Sequence, residues 1–106
     1  MKWHYCDEEG NPKTPGIYWV TLIYPEIREG KETGRTVAEV DMRYFADIDK
    51  NPDLEDWVME GEPEHGLVWT EQTGSSEHER VWAWAELDET PFPERLPEGV
   101  EKCQAY

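Results

Sequence analysis

Basic residues are scarce in this sequence. Ten Lys and Arg stand against 25 Asp and Glu in 106 residues, a formal charge of −15 and an isoelectric point near 4.4. Proteins that grip DNA or RNA phosphates cluster cations, so this balance argues against direct nucleic-acid binding and points to basic partners. Cysteine is also rare. Cys6 and Cys103 lie near opposite ends of the chain, without the paired spacing of a disulfide or zinc framework. No stretch approaches the roughly 18 consecutive apolar residues of a membrane helix, and Met1-Lys2-Trp3-His4-Tyr5-Cys6 lacks the apolar run of a secretory signal. Glycines occur singly, which leaves no phosphate-cradling loop. The length excludes a Rossmann unit with a substrate domain, a kinase or a barrel enzyme. The expectation is one soluble cytoplasmic domain over residues 1–106 with reduced thiols, an N-terminal arm (1–14) and a proline-rich C-terminal tail (88–106).

Aromatic residues are abundant. Six Trp, five Tyr and two Phe far exceed what acidic disordered tails carry, and they predict a packed core. The run Gly16 to Tyr24 is β-branched and aromatic on both faces, as a central strand requires. Glu26 to Arg35, charged and holding two glycines, reads as a connecting loop. Thr36 to Ala46 alternates, with Ala38, Val40, Met42, Tyr44 and Ala46 on the side expected to face the core and Glu39, Asp41 and Arg43 on the solvent side. Asn51-Pro52 marks the start of a short helical turn, and Trp57 to Glu60 and Leu67 to Thr70 read as brief strands. The last strand, Arg80 to Leu87, sets Val81, Ala83, Ala85 and Leu87 against Arg80, Trp82, Trp84 and Glu86. Pro91, Pro93 and Pro97 then forbid regular structure, so the tail runs extended over the sheet or frays. The fold class predicted is mainly β or α+β, a small antiparallel sheet of about four to five strands with at most one or two short helical turns.

Catalytic constellations are thin. Asp47-x-Asp49-x-Asn51-x-Asp53 has the alternate oxygen ligands that open a calcium loop, but Pro52 occupies the sharp-turn position and Val58 the position of the bidentate carboxylate. His4, Cys6 and Cys103 offer three zinc ligands where a structural site takes four. Ser75, Ser76 and His78 with Glu77 and Glu79 lack a strained nucleophile elbow, and read as a polar hairpin turn. Pairs such as Glu62/Glu64 or Glu77/Glu79 are expected by chance in a chain so rich in carboxylates. No catalytic residue, metal or cofactor is therefore expected.

Two features point to binding. Residues 1–37 carry a net charge of −1 and residues 38–106 carry −14, half of the latter between Asp47 and Glu64. In that stretch Asp47, Asp49, Asp53, Glu55, Asp56, Glu60, Glu62 and Glu64 face one cation, Lys50. Such self-repulsion is relieved by a cationic partner surface, or serves solubility alone. The second feature is the pair Trp82 and Trp84 on one side of the last strand. They are either covered by the tail from Thr90 to Pro97 or, with Trp57, are the apolar anchors of an interface.

The order Pro15-Gly16-Ile17-Tyr18-x-Val20-Thr21, then Ala38 to Phe45, Trp57, and Val81-x-Ala83-Trp84-Ala85-Glu86-Leu87 followed by prolines resembles a family of short phage- and prophage-encoded domains of unknown function. The likeness runs from about Pro15 to Pro97 and rests on a few aromatic and proline positions; Trp19 stands where Leu is usual. It implies a small sheet and a mobile-element setting, in which very acidic small proteins resemble nucleic-acid mimics of the anti-CRISPR or anti-restriction type. The expected function is accordingly a non-enzymatic acidic inhibitor. Its partner would be a basic protein surface, such as a nucleic-acid-binding enzyme or complex, with neither free nucleic acid nor a membrane. The alternative is a self-associating structural or virion-related module, hence a homo-oligomer.

Overall fold

The computed structural model describes residues 2–71, 78–87 and 95–102, the last without the Lys102 side chain. In chain order the elements are β1 (His4–Tyr5), α1 (Cys6–Glu9), β2 (Gly16–Arg28), β3 (Lys31–Asp47), a 3₁₀ helix (Pro52–Trp57), β4 (Leu67–Trp69), β5 (Arg80–Ala85) and β6 (Val100–Lys102). The strands form one sheet in the order β1-β5-β2-β3-β4, with β6 parallel beside β3 and all other pairings antiparallel. The mainly antiparallel fold class stands, with six strands among the described residues.

The scaffold is the β2–β3 hairpin. Its strands of 13 and 17 residues pair from Gly16↔Phe45 to Arg28↔Lys31, so the stretch read as a loop from Glu26 to Arg35 is instead strand on both sides of a two-residue turn. The turn residues Glu29 and Gly30 both have positive φ, 52° and 79°, the handedness that matches the twist of a tight hairpin. A register shift between Pro25 and Ile27 accommodates the proline, which has no N–H to give the ladder. β2 is the central strand, and Val20, Thr21, Leu22 and Ile23 are at most 2% exposed.

The main core lies on the face that the alternation of β3 marks as polar. Tyr18, Val20, Leu22, Phe45, Met59 and Trp69 cluster there, with Tyr24, Leu67, Val81 and Trp84 packed around them. The register puts Arg43 opposite Tyr18, Asp41 opposite Val20 and Glu39 opposite Leu22. Arg43 is buried because its charge is matched. Nη1 donates to Glu79 Oε1 at 2.6 Å and Nη2 to Asp41 Oδ2 at 3.2 Å, and the Arg43 and Glu79 side chains are 3% and 6% exposed. The hydroxyl of Tyr24 donates to Glu39 at 2.8 Å. On the opposite face Met42 and Tyr44, expected inside, are about 40% exposed.

The last strand departs from strict alternation. A register shift between Thr21 and Leu22 pairs Thr21 with Ala83 but Leu22 with Val81, leaving Trp82 as the extra residue. Trp82 and Trp84 therefore pack on opposite faces of the sheet. Trp84 borders the main core, whereas Trp82 joins a smaller cluster of Trp3, Ala83 and Ala85 with Tyr5, Trp19 and Val40. The N-terminal stretch read as an arm supplies β1, which pairs His4↔Trp84 and Tyr5↔Ala83. Trp57 to Glu60 is not a strand: the 3₁₀ helix runs through Trp57, and only Val58 makes a bridge, to Thr70. Residues 72–77 of the stretch expected to be a polar turn, Pro91 and Pro93 of the tail, and Cys103 lie outside the described residues.

Candidate functional site: the acidic segment after the hairpin

The segment from Asp47 to Gly66 leaves β3 and returns into β4 as a closed loop. Ile48 N–H donates to Gly66 O at 3.0 Å at the neck, and Met59 N–H to Trp69 O at 3.0 Å farther along. The Asp47–Asp53 spacing is spent on the turn itself. Asp47 Oδ1 accepts from Asp49 N–H, Asn51 Nδ2 donates to Asp47 O, and Asp49 Oδ2 accepts from Gly66 N–H, each at 3.0 Å. Asn51 stands at the N-cap of the 3₁₀ helix, as expected, but without a side-chain capping bond. Among the described residues no group of three or more His, Cys, Asp or Glu is arranged to hold a metal ion.

The eight carboxylates divide into used and unused. Asp47 and Asp49 hold the turn, and Glu62 Oε1 accepts from Trp69 N–H at 2.7 Å. Burial keeps Glu62 above the ordinary carboxylate range despite that bond. Asp49 Oδ1 and His65 Nδ1 are 3.0 Å apart; this hydrogen bond holds Asp49 below its usual range and raises His65. Glu60 Oε1 lies 3.3 Å from His78 Nδ1. Asp53, Glu55, Asp56 and Glu64 are exposed and form no ion pair among the described residues. Beside them Trp57 is 44% exposed.

The loop encloses a shallow cleft of about 390 Å³ lined by Ile48, Glu55, Val58, Glu62, Pro63, Glu64 and His65. A smaller one of about 230 Å³ adjoins it, bringing in Asp49 and Pro52. Ile48, Val58 and the prolines supply an apolar lining and Glu55, Glu62 and Glu64 supply the charge. That combination suits a side chain with an aliphatic stem and a cationic head. Sequence reasoning located the carboxylates but missed the lining, because Ile48, Val58 and Pro63 are far apart in sequence and meet only when the loop closes.

Trp82 and Trp84 are not part of this site. Trp84 Nε1–H donates to Gly10 O at 2.9 Å, and its ring stacks on His4 at 4.2 Å and meets Tyr18 edge-on at 5.3 Å. Trp82 Nε1–H donates to Arg95 O at 3.1 Å. Both indoles are half-buried: the N-terminal segment packs on Trp84, which corrects the expectation that the tail covers both, and Arg95 of the tail packs on Trp82, while Thr90 to Glu94 lie outside the described residues. His4 bonds Glu9, and Cys6 bonds Asn11. Burial, with the nearby charges of Glu62 and Asp7, pushes the Cys6 thiol up to about 11, so it is protonated and a poor metal ligand or nucleophile at neutral pH.

No helix among the described residues is long and apolar enough to cross a membrane. Comparison of the chain with protein-family models, with curated proteins and with solved structures found no match.

Proposed function

We propose that the protein works by binding rather than catalysis, and that the loop from Asp47 to Glu64 docks on a basic protein surface. The observation that carries this reading is the cleft in which Glu55, Glu62 and Glu64 surround the apolar lining of Ile48, Val58 and Pro63. The exposed carboxylates of Asp53 and Asp56 beside it extend the negative field. A Lys or Arg laid in the cleft desolvates its stem on the lining and pairs its head at the rim. In its finer form the reading makes the carboxylates a surrogate for phosphates. The partner is then a nucleic-acid-processing protein, and the chain an inhibitor of the anti-CRISPR or anti-restriction type acting in the cytoplasm of a host to a mobile element.

Affinity capture with the wild-type chain and with an Asp53→Asn, Glu55→Gln, Asp56→Asn, Glu64→Gln variant tests it. The expected partner is basic, is lost by the variant, is weakened by moderate salt because surface pairs are screened within about 10 Å at 0.1 M, and is displaced by short duplex DNA. A partner retained equally by the variant overturns the docking site; one lost by the variant but indifferent to DNA overturns only the phosphate-surrogate form.

Self-association is a second reading, favoured by one observation. Ile17 and Tyr44 are cross-strand partners, as are Trp19 and Met42, and Ile17, Met42 and Tyr44 are 56%, 42% and 38% exposed on one sheet face. Light scattering across a dilution series decides it: a monomer at every concentration rules it out.

A further inference from the structure

Arg95 is the one described basic residue of the tail before β6, and its surroundings are more elaborate than a surface ion pair. Its guanidinium carbon lies 4.7 Å from the centre of the Tyr5 ring and 5.0 Å from that of Trp82. The two rings are 6.2 Å apart and inclined at 59°, so they form a notch rather than a stack. Nη2 donates to both carboxylate oxygens of Asp7, at 2.6 and 2.5 Å, and Nη1 to Glu8 Oε1 at 2.7 Å. The Arg95 backbone is held as well, its N–H donating to the Tyr5 hydroxyl at 3.4 Å and its carbonyl accepting from the Trp82 indole. Two electron-rich faces and two carboxylates set to a planar fork are what distinguish a guanidinium from an ammonium.

The walls and the occupant are anchored differently. Tyr5 pairs with Ala83 in the sheet, Tyr5 and Trp82 pack on the cluster of Trp3, Ala83 and Ala85, and Asp7 and Glu8 sit on α1, which follows β1 directly. None of these contacts needs Arg95. Beyond the notch the occupant's segment is tied by the three-residue pairing of β6 with β3, by the ion pair between Arg35 and Glu101 and by half-buried Leu96, Pro97 and Val100, with no fully buried side chain among its described residues. Arg95, Asp7 and Glu8 are also between 43% and 56% exposed at the side chain, so solvent and solutes reach them.

From this we infer that Tyr5, Asp7, Glu8 and Trp82 form a guanidinium-binding site, filled in cis by Arg95 and able to take an arginine from a partner protein when that segment lifts. The site lies in the Trp82 cluster rather than in the loop from Asp47 to Glu64, and the inference does not depend on the docking role of that loop. The chain's own arginine is a competitor: an external arginine binds with an affinity lowered by the fraction of molecules in which the notch is open. Lysine offers one compact charge and no plane to lay on the rings, so it is the discriminating control.

The test titrates the blocked tripeptides acetyl-Gly-Arg-Gly-amide and acetyl-Gly-Lys-Gly-amide into ¹⁵N-labelled full-length chains, following the Trp82 indole resonance assigned with Trp82→Phe. Arg95→Ala should bind the arginine peptide roughly tenfold or more tightly than the wild-type chain does. It should prefer arginine to lysine, and lose the gain when Asp7→Asn and Glu8→Gln are added. Arg95→Gln, which retains the stem and a polar tip, is read in the same way should the alanine variant lose its dispersed spectrum. Equal affinity of wild-type and Arg95-substituted chains, or equal affinity for the two peptides, overturns the inference.

Discussion

Between Gly16 and Asp47 the chain buries Val20, Leu22, Ile23, Val37, Phe45 and even Arg43, whereas between Ile48 and Gly66 only Ile48 and Met59 are buried. The first stretch spends its residues on packing; the charges that it draws into the core side are matched, as in Arg43 with Glu79, or tied to a neighbour, as in Glu39 with Tyr24. The second holds its shape with backbone bonds at its neck and turns its unpaired carboxylates outward. Stability and surface charge are thus carried by adjacent pieces of one chain, and each can be changed with little effect on the other.

The largest expected effect is in the hairpin. Phe45, 1% exposed, packs on Trp69 at 4.6 Å between ring centres, and Phe45→Ala should cost about 3–5 kcal/mol in urea denaturation. Next is the buried pair. Glu79→Leu deprives Arg43 of its closest carboxylate and should cost about 3 kcal/mol, while the double change with Arg43→Met recovers most of it. If the single variant costs as little as a surface substitution, the distinction between matched and unmatched charge in this molecule fails. Neutralising Asp53, Glu55, Asp56 and Glu64 should shift stability by no more than about 0.5 kcal/mol per site, towards greater stability as self-repulsion falls. A large loss there would show that the acidic loop is structural.

The smallest effect concerns pH. His65 is raised by its bond to Asp49, so its contribution is whole below its unfolded value of 6.5 and fades as pH rises through the folded one. Asp49 is lowered, so its contribution is whole above 3.8 and fades as pH falls. The pair therefore supports the loop neck most between those two values. NMR titration should place His65 above an ordinary histidine in the wild-type chain and return it to normal in Asp49→Asn; identical titrations would remove the pair from the account.

Much of the sheet was legible from sequence because β2 is apolar on both faces and can only be central. The polarity of β3 misled, since burial of Arg43 depends on Glu79, 36 positions away, and alternation carries no record of such a partner. The hairpin turn was hidden because Glu29-Gly30 is a less familiar tight turn than Asn-Gly. The bulge at Trp82 reversed the pairing of two tryptophans that strict alternation puts together. The carboxylates of the candidate site could be counted in advance. Which of them are spent on the turn, and which remain exposed, depends on loop closure through Gly66 and Trp69.

Bulk charge and a localised docking surface make different demands on position, and a charge-matched titration separates them. An octa-arginine peptide is titrated at several salt concentrations into the wild-type chain, into the Asp53/Glu55/Asp56/Glu64 neutral variant, and into a variant in which the exposed Glu29, Glu32, Glu86 and Glu98 become Gln. Both variants lose the same four charges. The docking account predicts that the loop variant loses roughly tenfold more affinity than the control, with a shallower salt dependence. Equal losses in the two variants would contradict it, leaving the acidity of the chain a property of the whole surface.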